Sequence, residues 1–164
     1  MAQRTEENQL KFDNYREQFR RLNKALANGF NLEAMFIEYA ILEDRTESIL
    51  RHADLWDAYL NSRKGHMPTI ESKIRYIKKN AENKKSLLHK YFSGDLLDQV
   101  MAWKDERNRL IHALLKQRLT DEDVIRIAQD GSELARKIRS RTTSHNRATQ
   151  NTDAECAATG EIAP

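Results

Sequence analysis

The chain has little of what breaks helices, with 5 glycines and 2 prolines in 164 residues. Sandwiches and barrels need frequent turns, so this scarcity argues against them. Cysteine is almost absent. The lone Cys156 permits no internal disulfide, and no CxxC or Cys/His spacing offers a zinc site, so neither metal nor cofactor is implied. No apolar run approaches the roughly 20 residues that cross a bilayer, so no membrane span is expected. The opening residues, Met1 to Asn8, hold no apolar signal core, and a cytoplasmic location is expected. A strong excess of one charge is also missing. Net charge is +3, and from Ser144 onward Arg147 stands against Asp153, Glu155 and Glu161. The preceding part is therefore somewhat more basic. It falls short of the positive surface of a stable duplex-DNA binder and suits either transient contact with phosphate-bearing substrates or no nucleic acid at all.

What is present is amphipathic material, 39% hydrophobic and 32% charged. Helical spacing of apolar residues predicts a first helix from Glu6 to Asn28, stopped by Gly29, and a second from Leu32 to His52, capped by Asn31. One row of the second reads Leu32, Phe36, Tyr39, Glu43, Thr46, Leu50, so Glu43 interrupts a largely apolar stripe. A short piece spans Ala53 to Ser62. Thr69 caps a helix from Ile70 to Asn83, and Ser86 to Phe92 forms a further turn or two. Asp95 opens a long helix reaching about Leu119. Thr120 with Asp121, Glu122 and Asp123 begins a last one, ending near Ile138. From Ser140 the chain is mostly small and polar, which predicts a flexible tail over 140–164 behind a domain of residues 1–139. The expected fold is all-α, an up-and-down bundle of four long helices plus a short extra helix.

Three places set an arginine ahead of a histidine with four to six residues between them: Arg45 and His52, Arg139 and His145, Arg107 and His112. His145 falls in the expected tail, and His52 ends a helix with Thr46 following its arginine. Only Arg107 is followed by asparagine, within a long helix near the end of the bundle. Asn108 and His112 are four apart and share a helix face, with Arg107 flanking them. Leu110, Ile111 and Leu114 occupy much of the remaining circumference.

The segment Arg107-Asn108-Arg109-Leu110-Ile111-His112 resembles the motif of the HEPN superfamily. The likeness in sequence covers about ten residues, while the helix layout agrees across roughly residues 6–139. The resemblance implies a metal-independent endoribonuclease in a toxin or anti-phage setting, with Arg107 and His112 catalytic and Asn108 supporting. It also implies a homodimer, which pairs two copies of the motif into one site. RNA is the implied substrate, and an antitoxin or other regulatory protein a possible partner. In the branch controlled by nucleotidyltransferase antitoxins a tyrosine commonly stands two residues beyond the histidine. Here Leu114 stands there, so that form of control is not implied. Glu43 has two readings: a carboxylate pairing with Arg107 across the bundle, or one satisfied by another base at the stripe's edge. The alternative function is a non-catalytic helical binding module for a nucleotide, RNA or protein.

Overall fold

The computed structural model describes residues 6–116 and 120–159, and these form seven helices with no strand among them. Helices α1 (Glu6–Ala27) and α2 (Asn31–His52) make an antiparallel hairpin. Gly29 turns the chain at φ +74°, with Phe30 N–H donating to Ala25 O at 2.8 Å and Gly29 N–H to Leu26 O at 3.2 Å. That paired pattern satisfies carbonyls the helix end leaves open and needs a left-handed residue at Gly29. Phe30, not Asn31, occupies the cap position of α2, and no side chain caps it.

Three shorter helices follow, α3 (Trp56–Ser62), α4 (Ile70–Asn80) and α5 (Leu87–Phe92). Thr69 caps α4 reciprocally with Ser72, and the Ser86 hydroxyl accepts the His89 N–H of α5. Helix α4 ends at Asn80 rather than Asn83, and turns connect it to Ser86. Helix α6 (Leu96–Ala113) stops short of the expected Leu119, and residues 117–119 lie outside the described part. Asp95 precedes α6 without capping it, its carboxylate taking Gln99 Nε2 at 2.7 Å instead. The last helix, α7 (Asp121–Thr159), starts where Thr120 Oγ1 accepts the Asp123 N–H.

Side-chain pairings fix the helix directions. Tyr15 on α1 bonds Asp44 on α2, while Asn23 meets Arg136 of α7, so α1 opposes both partners. Trp103 Nε1 donates to Ile127 O at 2.8 Å and Arg126 bonds Glu106, setting α6 against α7. Asn146 reaches Ser48 while Gly131 lies beside Glu38, so α2 and α7 run the same way. Leu22, Met35, Leu42, Ile74, Leu97 and Ile138 are fully buried at the centre of this bundle. No helix among the described residues is long and apolar enough to cross a membrane.

Two expectations need correction. The chain from Ser140 to Thr159 is helix, not a flexible tail, and Thr142 and His145 are buried in it. The row Gly131, Ala135, Ile138, Thr142, His145 keeps helical spacing, and α2 and α5 cover it. Small and polar residues replace large apolar ones along that row, so hydrophobicity alone does not reveal it. Residues 160–164 and the side chain of Cys156 lie outside the described part. The second correction concerns α2. Thr46 and Leu50 of the expected row are buried, but Phe36 is 70% exposed and Leu32 also faces solvent, and toward its start the buried row is Met35, Glu38 and Leu42.

Candidate functional site

The last two turns of α6 carry the motif. Arg107 turns toward α2, its guanidinium carbon 5.0 Å from the Tyr39 ring centre, and its Nη1 donates to Asn108 Oδ1 at 3.1 Å. Its Nε is buried with no hydrogen-bond partner. Tyr39 is partly buried, which raises its phenol pKa; Glu43 adds to the rise, and Arg107 and Lys104 oppose it. Asn108 is half-buried and His112 is exposed one turn further on. His112 touches neither Arg107 nor Asn108 through a hydrogen bond among the described residues.

Neighbouring charges are matched. Lys104 is buried, and its ammonium sits 2.9 Å from Glu71 and 2.8 Å from Asp105. Burial pulls its pKa down, but those two carboxylates outweigh the effect and leave it raised. Glu106 is held below the usual carboxylate range by its bonds from Arg126. Arg107 and Arg109, by contrast, have no carboxylate partner within ion-pair distance among the described residues. The helix therefore presents two guanidinium groups without an ion pair, Arg109 acting on Glu106 at longer range, on the same two turns as the exposed His112 imidazole. Such donors suit a phosphate, since guanidinium keeps its charge at all ordinary pH values.

Glu43 does not join this group. Its carboxylate is partly exposed and lies 3.6 Å from the buried Lys73 ammonium, which also donates to the Glu43 carbonyl. Of the two readings of Glu43, the pairing with another base at the stripe's edge is the one observed. A single chain thus brings Arg107 and Asn108 together, places His112 on the same row, and leaves Glu43 apart.

Tyr39, the platform for Arg107, carried no motif and is legible only as a helix-face neighbour. The buried acid of α2 is Glu38, one residue from Tyr39. It is fully buried, and neither carboxylate oxygen has a partner. Burial pushes its pKa up to about 8, against the opposing charge of Arg136. A glycine inside α7 is the one sequence sign of it. A Cβ on Gly131 would collide with the Glu38 carboxylate and come within 2.6 Å of the Trp103 ring. The other two histidines preceded by arginine, His52 and His145, meet at a cavity near the far end of the bundle. Comparison of the chain with protein-family models, with curated proteins and with solved structures gave no match.

Proposed function

We propose that the protein is a metal-independent endoribonuclease of HEPN type that works as a homodimer, in a toxin or anti-phage setting. The observation that carries this reading is the unpaired state of Arg107 and Arg109 beside exposed His112, on a helix whose other charges are matched. In such a reaction a base takes the proton of a ribose 2′-hydroxyl, whose oxygen attacks the adjacent phosphorus. An acid then protonates the departing 5′-oxygen. Histidine suits both steps because its ordinary pKa lies close to neutral. Arg107 supplies fixed positive charge for the phosphorane, and Asn108 holds one of its nitrogens. One chain supplies one histidine, so two copies facing across a twofold axis complete the acid–base pair. Helices α2 and α6 run in opposite directions, so the exposed Leu32 and Phe36 belong to the same end of the bundle as Leu114 and Leu115. Apolar groups at that end favour a self-association surface there.

The test is cleavage of RNA in EDTA by the purified protein, with light scattering for its mass. A dimer that cleaves is expected, with activity reduced about a hundredfold or more in His112→Ala and in Arg107→Ala while both stay folded. A second arm mixes the parent with an excess of His112→Ala, and activity is expected to fall below the share of parent chains because a mixed dimer holds one histidine and cannot complete the pair. A strict monomer, or full activity in His112→Ala, would end this reading.

A further inference from the structure

A cavity of about 440 Å³ opens where the C-terminal ends of α2 and α4 meet α5 and α7, away from the α6 motif. His52, Asp54, Leu55, Lys79, Leu88 and His145 are among the residues that line it. His145 is 1% exposed and lies against the rings of Tyr91 and Phe92 at 5.9 and 5.6 Å. Its Nδ1 is 3.2 Å from Asn146 Oδ1, and the same amide donates through Nδ2 to Ser48 Oγ at 3.2 Å. His52 Nδ1 is 2.9 Å from Ser48 O. The Ser48 carbonyl only accepts, so His52 carries its proton on Nδ1 and keeps a lone pair on Nε2, while the Asn146 amide can meet His145 Nδ1 with its oxygen or its nitrogen. One residue of α2, Ser48, thereby orients both imidazoles. Burial holds the His145 pKa below its ordinary value, against the bond to Asn146, and the charge of His52 lowers it further.

The wall is also basic. Lys79 lines the cavity without an ion pair among the described residues, and Lys84 and Lys85 follow on the exposed segment after α4, against Glu82. The neighbouring Lys78 is the paired one, with Asp98. At the lip, Asp54 adopts a left-handed conformation, φ +53°, at the end of α2 and is the acid facing the cavity. Two imidazoles would also attract a zinc-like cation, but an ammonium in the same wall opposes it. An anion gains from Lys79 directly and from each imidazole once it takes a proton.

We propose that this cavity binds a small phosphomonoester, its phosphate held by Lys79 and the Nε2 atoms of His52 and His145 and its organic part against Leu55 and Leu88. Proton uptake accompanies entry of the dianion, because a neutral imidazole accepts a phosphate oxygen only after protonation. This site is separate from the α6 motif and stands or falls independently of the nuclease reading.

The test is calorimetry on the full chain with two probes, inorganic phosphate and phenyl phosphate, in two buffers of different ionisation enthalpy. Expected are millimolar or tighter binding, tighter for phenyl phosphate, and a heat that changes with buffer because protons are taken up. Lys79→Ala, at an exposed position, is expected to weaken both probes about tenfold. His145→Gln is expected to reduce the proton uptake, and Lys11→Ala on α1 to change nothing. No heat at about 10 mM of either probe, or equal affinity in Lys79→Ala, overturns the proposal. So does zinc binding that excludes phosphate.

Discussion

At the end of α6 Arg109 and His112 stand open to solvent, Arg107 and Asn108 are half-buried, and the neighbouring charges are paired off. Along the seam between α2 and α7 the polar side chains are buried: Glu38, Thr46, Ser48, Thr142 and His145. The first arrangement costs the fold little, because water satisfies what the protein does not. The second is expensive, since a buried polar group without a full set of partners loses its hydration. Chemistry at the α6 end is therefore a matter of what a second chain or a substrate adds. At the seam, stability and chemistry are coupled, and changes there alter the whole bundle. Substitutions in the two regions should separate cleanly by their readout.

Glu38 has the largest expected effect. Unfolded, it ionises near the ordinary 4.5, whereas folded it keeps its proton up to about 8. The folded state holds the extra proton through that window, so this group's contribution to stability is lost as pH rises from about 4.5 to about 8. At about 1.4 kcal/mol per unit the loss has a ceiling of about 5 kcal/mol. Glu38→Gln stays neutral and lacks this loss. Urea unfolding at pH 5 and pH 8 should show the variant gaining on the parent by a few kcal/mol at the higher pH. Parallel pH trends in the two proteins would show that the seam admits water to Glu38.

Gly131→Ala comes next. Alanine ordinarily favours a helix over glycine by about 1 kcal/mol. Here the added methyl meets the Glu38 carboxylate and, at 2.6 Å, the Trp103 ring, which its hydrogen bond to Ile127 O holds in place. Overpacking should outweigh propensity and leave a net destabilisation of about 1–3 kcal/mol by urea unfolding. A stabilised variant would mean that α2 and α7 separate easily at this level, and the seam would then be no more rigid than the α6 end.

The two regions also differ in how much of them the sequence discloses. Helix starts at Thr69 and Ser86 were legible because small hydroxyl residues cap for a local reason, and Gly29 was legible as a stop. The α6 motif was legible because exposed chemistry depends on residue type at a short spacing, although Tyr39 beneath Arg107 was not. The outer part of the seam was hidden because beyond Ile138 α7 buries Thr142 and His145 rather than large apolar side chains. Gly131, Ala135, Thr142 and His145 have the right period but the wrong hydropathy, so the row reads as solvent-facing. For the same reason Glu43 stood out as the buried acid while Glu38, flanked by Ile37 and Tyr39, did not. His145 lies in a segment of small polar residues, and only the packing of α5 and α2 against α7 brings it beside His52.

Thr142 tests that hidden boundary with a smaller effect. Its hydroxyl oxygen is buried without a partner. Thr142→Val keeps the shape and removes the unsatisfied group, so a gain of about 1 kcal/mol is expected in urea unfolding. If the segment beyond Ser140 contributed nothing to the fold, the substitution would leave the midpoint where it was.

The smallest effect on stability belongs to Tyr39, where the two kinds of region touch. Its ring lies under the Arg107 guanidinium at a partly exposed position, where such a contact contributes about 0.5–1 kcal/mol. Tyr39→Leu should therefore shift unfolding only slightly. On the nuclease reading it should lower RNA cleavage about tenfold, because Arg107 keeps its bond to Asn108 but loses the surface that sets its direction. Tyr39→Phe retains the ring and should behave like the parent in both measurements. Equal losses in the two variants would shift the role from the ring to the phenol hydroxyl, whose raised pKa keeps it protonated and able to donate a hydrogen bond. Loss of stability without loss of cleavage would instead make Tyr39 part of the buried seam and leave the orientation of Arg107 to Asn108 alone.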